Sequence, residues 1–215
     1  MPYPLETQDI MPKLVLGSRN KKKLGELVDL LGDLGFDLVD LSPYPDAPEV
    51  DETGDTFEAN ARLKAEQLAP ILGEWVLGED SGLCVHSLGG APGVISALYA
   101  GTHGDDAANN AKLLKELAGK TGDDRAAYYV SCSVLADPTG KVVAVVEGRC
   151  WGRIIEEPRG SGGFGYDPLF LIPEYHRTFG ELSSTVKHAL SHRGKGIAKL
   201  RPVLRKVFSS LESRL

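Results

Sequence analysis

From residue 13 onward the chain alternates short apolar runs with stretches whose apolar positions recur every three to four residues. Residues 13–17 (KLVLG) form an apolar run closed by glycine and predict a buried strand. Leu24, Leu27, Val28 and Leu31 then share one face of a helical period, ended by Gly32 and Gly35, and residues 36–41 predict a second strand. This strand–helix–strand opening is typical of α/β proteins. Residues 42–55, rich in proline and acids, read as a loop. A helix follows with Asp55 or Thr56 as its cap, running to about Leu68 and limited by Pro70. Residues 75–77 and 83–85 predict strands, and residues 89–93 a glycine- and proline-bearing loop. Residues 106–117 form an amphipathic helix carrying Leu113, Leu114 and Leu117. Residues 126–135 and 141–146 are β-rich runs around Asp137-Pro138-Thr139-Gly140, a turn sequence, and predict an antiparallel hairpin. Residues 160–165 are glycine-rich, residues 169–172 apolar, and the chain from about Ser191 helical. With no repeat and no long linker, residues 13–215 read as one domain and residues 1–12 as a disordered lead.

Composition narrows the function classes. The 215 residues are 42% hydrophobic and 25% charged, as in ordinary globular chains, with enough length for a sizeable core. The net charge of −6 argues against coating a nucleic acid polymer, which calls for a broad basic surface. A small anion needs only a local basic pocket. No segment approaches the ~20 apolar residues that span a membrane. Cys84, Cys132 and Cys150 form neither a CxxC pair nor an even set, so reduced thiols and a cytoplasmic setting are expected.

Four clusters carry candidate chemistry. Ser18, Asn20 and Lys23 lie between a strand and the helix it feeds, with Arg19, Lys21 and Lys22 among them. Backbone N–H groups at a helix start bind anions, and cations there are unfavourable unless an anion offsets them. The same residues also fit a capped helix with a solvated basic first turn, and no Walker GxxxxGK[ST] loop is present. Asp51, Glu52, Glu79 and Asp80 offer carboxylate oxygens for a hard cation such as Mg²⁺, or a base for water; acidic loops and turns account for them as well. Residues 160–168 place Phe164 and Tyr166 among glycines, where aromatic rings can stack on a base. Lys187, His188, Ser191, His192 and Arg193 form the fourth cluster; His188 and His192 stand four apart, but Ala189 breaks the HExxH zinc pattern.

Taken in order, SRNKKKLGEL, DETGDTFEANARLKA, GEDSGLCVHSLGGAPGVISALYAG, GSGGFGYDPLF and SHRGKG resemble the inosine triphosphate pyrophosphatase family, whose members act on dITP, ITP and XTP. The resemblance spans nearly the whole chain. It implies an elongated, two-lobed α/β fold with a mixed twisted sheet, helices on its faces and a central cleft, usually as a homodimer. It implies hydrolysis of a non-standard purine nucleoside triphosphate to the monophosphate and pyrophosphate, with Mg²⁺ as cofactor. Carried over residue by residue, Ser18, Asn20 and Lys23 bind phosphates, with Arg19, Lys21 and Lys22 adding positive charge. Lys64 points at the triphosphate. Glu52 and Asp80 hold the metal, Asp80 also being the catalytic base. Ser81 touches substrate. Phe164 stacks on the base beside Gly165, Tyr166 and Asp167, while Lys187, His192 and Arg193 read the base.

Three positions depart from the family pattern: Leu98 stands where arginine is common, Gly180 where alanine precedes Glu181, and Glu79 where many bacterial members have aspartate. Two other functions remain in view. One is a pyrophosphatase of the related septum-inhibitor type, against which the SHR and FGYDP segments argue. The other is a nucleotide-binding regulator without catalysis, which would not need Glu52 and Asp80 together.

Overall fold

The structure, a computed structural model, describes residues 12–212, so the expected lead at residues 1–12 lies outside it but for Pro12. Twelve principal elements follow in chain order: β1 (Lys13–Leu16), α1 (Lys21–Leu31), β2 (Asp37–Val39), α2 (Phe57–Leu72), β3 (Trp75–Val85), α3 (Asp106–Glu116), β4 (Ala126–Ala136), β5 (Val142–Ile154), β6 (Phe170–Ile172), β7 (Arg177–Thr178), α4 (Ser184–Leu190) and α5 (His192–Glu212). The seven strands form one mixed sheet in the order β2-β1-β3-β4-β5-β6-β7. β2, β1 and β3 run parallel, and every pairing from β3 to β7 is antiparallel. The expected α/β class with a mixed sheet is what the chain adopts. Among the described residues, no helix is long and apolar enough to cross a membrane.

Strand alternation sorts the core. On one face Leu14, Leu16, Leu77 and Leu135 pack under α1 and α5; on the other Val15, Val76, Val134 and Ala136 pack under α2. Farther along the long strands, Leu83, Val85, Ala127, Tyr129 and Cys150 join Leu113, Phe170 and Phe179 in a third cluster. This cluster lies on the face of Leu77. Between Leu77 and Leu83 that face carries Glu79 and Ser81, and between Tyr129 and Leu135 it carries Ser131 and Ser133. A buried polar band therefore interrupts the apolar face, and it is there that the site forms.

The long strands differ from the sequence expectation in instructive ways. β3 is one 11-residue strand, although Gly78-Glu79-Asp80-Ser81-Gly82 reads as a turn. β4 pairs straight through it, from Gly78↔Val134 to Gly82↔Val130. The glycines are there for clearance: a Cβ at Gly78 would stand 2.1 Å from the Ala61 carbonyl of α2. β5 likewise runs on to Ile154, past Glu147-Gly148-Arg149. Gly148 admits α5, since a Cβ there would meet the His192 carbonyl at 2.1 Å. α2 continues past Pro70 to Leu72 and ends at Gly73 in the left-handed region (φ 66°). Pro70 sits in the last turn, where it forgoes one ladder bond, to the Glu66 carbonyl, two residues before the helix ends. The cap of α2 is Thr56, which accepts from the Ala59 N–H at 3.1 Å. The helix expected from about Ser191 is α5, and a further short helix, α4, precedes it and meets it at Ser191.

Candidate active site

β1 is four residues long and its neighbour β3 eleven, so β1 stops alongside Leu77 and leaves the rest of that β3 edge uncovered. From β1 the chain crosses to β2 over the α1 face, and from β2 returns to β3 over the α2 face. The gap between β1 and β3 is thus a topological switch point, where open α/β sheets bind ligands. Residues 17–20 and the first turn of α1 stand at its mouth.

That first turn is organised by Asn20. Its side-chain oxygen accepts from the N–H groups of Lys22 and Lys23 (3.0 and 3.1 Å), while Ser18 Oγ accepts from the Asn20 N–H at 3.1 Å. The cations do not crowd together. Lys21 reaches Asp40 (2.6 Å), Lys22 reaches Asp106 (2.9 Å), and Lys23 reaches Glu79 (2.7 Å). Arg19 is exposed and donates to the Ala47 carbonyl at 3.1 Å.

Glu79 and Asp80 part company at the sheet. Asp80, buried on the α2 side, accepts from Asn60 Nδ2 at 3.1 Å and from the Ser81 N–H at 2.9 Å. Lys64 Nζ donates to the Glu79 carbonyl at 3.2 Å, lies 2.7 Å from Glu52 and 4.0 Å from Asp80. Burial raises the Asp80 carboxyl above its ordinary value, and the Lys64 and Lys23 charges offset this only in part. Glu79 faces α1 and α5. Its Oε1 accepts from Ser131 (2.8 Å) and from Arg193 (3.0 Å), and Arg193 also donates to Ser81 Oγ at 3.0 Å. Burial pushes Glu79 up, but Arg193 and Lys23 outweigh it and hold this carboxyl well below the usual range.

The opposite wall comes from residues 164–167, α4 and α5. Lys187 bridges Glu26 (2.6 Å) and Asp167 (2.7 Å), and Arg193 also pairs with Glu26. Asp167 accepts from the Phe164 N–H at 2.8 Å, which fixes the half-buried ring. Lys187, Lys22 and Arg193 stand 4.9, 5.6 and 6.0 Å from the centre of that ring. Tyr166 is buried and donates to the Ser96 carbonyl at 2.8 Å, so it supports the wall from behind. His192 stacks on Tyr129 at 4.7 Å and 11°. Burial, reinforced by Arg193, lowers its pKa well below 6.5, and Nδ1 is buried with no hydrogen-bond partner among the described residues.

Residues 14–203 match the Ham1 family. The chain belongs to that family. It is 53% identical over 197 residues to the dITP/XTP pyrophosphatase of Rhodopirellula baltica, covering 92% of this chain and 95% of that one. Identity to the dITP/XTP pyrophosphatase of Exiguobacterium sibiricum is 48% over 192 residues, 89% of this chain and 96% of the other. Among solved structures, a HAM1 protein from Coxiella burnetii superposes with a TM-score of 0.82 at 38% identity, over 91% of this chain and all (100%) of that one. The dITP/XTP pyrophosphatase of Mycobacterium abscessus gives 0.71 at 46% identity, over 89% and 99% of the two chains. The resemblance read from five short segments thus extends over nearly the whole chain.

Within this Ham1 chain, the fold brings the four sequence clusters to the β1–β3 mouth and its facing wall, leaving aside Asp51 and His188, the latter 3.8 Å from Asp29. Glu52 lies at the rim, with its side chain 42% exposed. Leu98, the departure from arginine, is 46% exposed. Sequence reasoning missed Glu26, Asn60, Asp106 and Ser131. Asn60 had a signal, standing one turn before Lys64 on the same helix, whereas Glu26 had none, since it lies off the Leu24–Leu27–Val28–Leu31 stripe of α1. Ser131 had one too, as a polar residue inside an apolar strand.

Proposed function

We propose that this Ham1 chain hydrolyses non-standard purine nucleoside triphosphates, dITP, ITP and XTP, to the nucleoside monophosphate and pyrophosphate, and so cleanses the nucleotide pool. The observation that carries this reading is the pairing of a buried Asp80 carboxylate, its burial only partly offset by nearby lysines, with a cation-rich helix start, in a chain about half identical to proteins named dITP/XTP pyrophosphatase.

Magnesium fits the donors. Glu52 and Asp80 converge on one point, held here by the Lys64 ammonium at 2.7 and 4.0 Å. Mg²⁺ takes one or two carboxylates and completes its shell with water and phosphate oxygens, so no three-residue cage is needed. Glu52 and Asp80 would hold it; when bound, it neutralises charge building on the phosphates.

The chain's own residues supply the rest. Ser18, Asn20 and the α1 lysines take the phosphates, with Arg19 at the entrance and Lys64 on the other side. Asp80 accepts a proton from a water molecule, whose oxygen bonds to the α-phosphorus. The bond from that phosphorus to the α,β-bridging oxygen breaks, and pyrophosphate leaves. Phe164 stacks on the purine, with Gly165 and Asp167 in the same wall. The 6-oxo group of hypoxanthine or xanthine accepts from Lys187, His192 or Arg193; the 6-amino group of adenine would leave that donor unpaired, which discriminates strongly. His192 Nδ1 supports this role, as a buried polar atom without a partner.

The experiment is pyrophosphate release from dITP, XTP, dGTP and dATP with Mg²⁺ in ¹⁸O-labelled water. Selective release from dITP and XTP, with label in the monophosphate, is expected. Equal release from all four sinks the substrate assignment, and label only in pyrophosphate sinks attack at the α-phosphorus. A cytoplasmic homodimer completes the reading. The three buried free thiols accord with a reducing compartment, and exposed Trp151 beside Tyr128 offers an apolar contact, with light scattering as the test of the dimer.

A further inference from the structure

Asp106 opens α3 but does not cap it. Asp105 does, accepting from the Ala108 N–H at 2.9 Å, which leaves the Asp106 carboxylate able to reach away from its own helix. A single oxygen of that carboxylate, Oδ2, accepts from the Gly165 N–H at 2.9 Å and also from Lys22 Nζ at 2.9 Å. Four residues on, and so on the same face of α3, Asn110 Nδ2 donates to the Gly165 carbonyl at 2.9 Å. The N–H and the C=O of Gly165 are both gripped by this helix. Gly165 has a left-handed backbone (φ 63°) and directly follows Phe164, so this grip sets where the ring stands.

Lys22 belongs to the first turn of α1 and lies 5.6 Å from the Phe164 ring centre. The side chains of Lys22 and Asp106 are 58% and 36% exposed, and a pair so open contributes little to stability. Its consequence is positional: it ties the start of α1 to the loop of Phe164 through one oxygen atom.

We propose that Asp106 is a positioning residue that sets the Phe164 wall against the phosphate end of the site, sharing its carboxylate between Gly165 and Lys22. This rests on the assignment of α1 to phosphate and Phe164 to the base. The two contacts have separable consequences. The acceptor for Gly165 governs the base wall. The charge partner for Lys22 withholds one cation from the phosphates until substrate claims it.

Two variants separate them, assayed with dITP and with inorganic triphosphate as a base-free inhibitor at equal free Mg²⁺. Asp106→Ala removes both contacts. KM for dITP should rise about tenfold, the size of a lost hydrogen bond to a charged acceptor, with kcat changed much less. Inorganic triphosphate should inhibit it more tightly than wild type, because Lys22 is released. Asp106→Asn keeps an acceptor for Gly165 and drops the charge, so it should bring KM to the wild-type value or below while retaining the tighter inhibition. If both variants weaken dITP and triphosphate in parallel, or if neither shifts the ratio of the two, the proposal is overturned. Failure of the wild type to turn over dITP would instead overturn the functional reading itself.

Discussion

Glu79 and Asp80 are consecutive residues whose carboxylates leave β3 on opposite faces, one into the Lys23–Arg193–Ser131 network and the other toward Asn60 and Lys64. The pleat of a strand dictates this, since successive side chains point to opposite faces. It gives the two acids opposite electrostatics: Glu79 is held ionised by buried Arg193 and half-buried Lys23, whereas Asp80 is desolvated with less compensation. One anchors and the other is available for chemistry.

Asp80→Asn should therefore reduce pyrophosphate release by about 10²-fold or more, the scale of a lost general base, without loss of fold. Asparagine keeps the shape and can still accept from the Ser81 N–H, at the cost of the bond from Asn60 Nδ2, which its own NH2 would face. Because it replaces a poorly compensated buried carboxylate, the melting temperature should hold or rise. A marked fall in melting temperature would show that the carboxylate is an anchor after all.

Glu79→Gln should behave in the opposite way. It leaves buried Arg193 and Lys23 short of a partner, which costs about 3 kcal/mol in a buried ion network. Urea denaturation at pH 7 measures this. A loss within experimental error of zero would mean that Glu26 alone suffices to hold Arg193.

Glu26 supplies a pH dependence. Burial raises its carboxyl, but Arg193 and Lys187 together bring it below 4.5. A lowered folded pKa gives stability that is complete above 4.5 and is lost as pH falls through the folded value. Wild type should therefore lose stability more steeply than Glu26→Gln on the acid side of 4.5, in denaturation curves taken across that range. Parallel acid limbs would contradict the assignment.

His192 should stay neutral through pH 6.5, its folded pKa being well below that value. Its contribution to stability is present above 6.5 and is lost as pH falls toward the folded pKa; NMR titration of the ring reads it directly. His192→Phe preserves the ring that stacks on Tyr129 and removes the unpartnered Nδ1. The fold should persist, and preference for dITP over dATP should fall by about tenfold, as expected when a polar contact to the base is lost. Unchanged preference would assign base reading to Lys187 and Arg193 alone.

The sequence by itself determined the α/β class, the opening strand–helix–strand unit, the β4–β5 hairpin and the segments in which chemistry is concentrated. Those are local properties: apolar period, caps, turn residues, and the residue types of short motifs. The strand through Gly78–Gly82 was not legible. Its glycines mimic a turn, and only the approach of α2 at Gly78, of Gly93 and Ser96 at Gly82, and the pairing with β4 explain them. Nor were the partners of the lysines. Lys21, Lys22 and Lys23 read as one positive patch, yet the fold hands each to a different carboxylate, on residues 40, 106 and 79. Glu26 and Lys187, separated by 161 positions, meet only because α1 and α4 close on the same mouth. Such contacts depend on the packing of elements far apart in the chain, and no local pattern records which charge each will face.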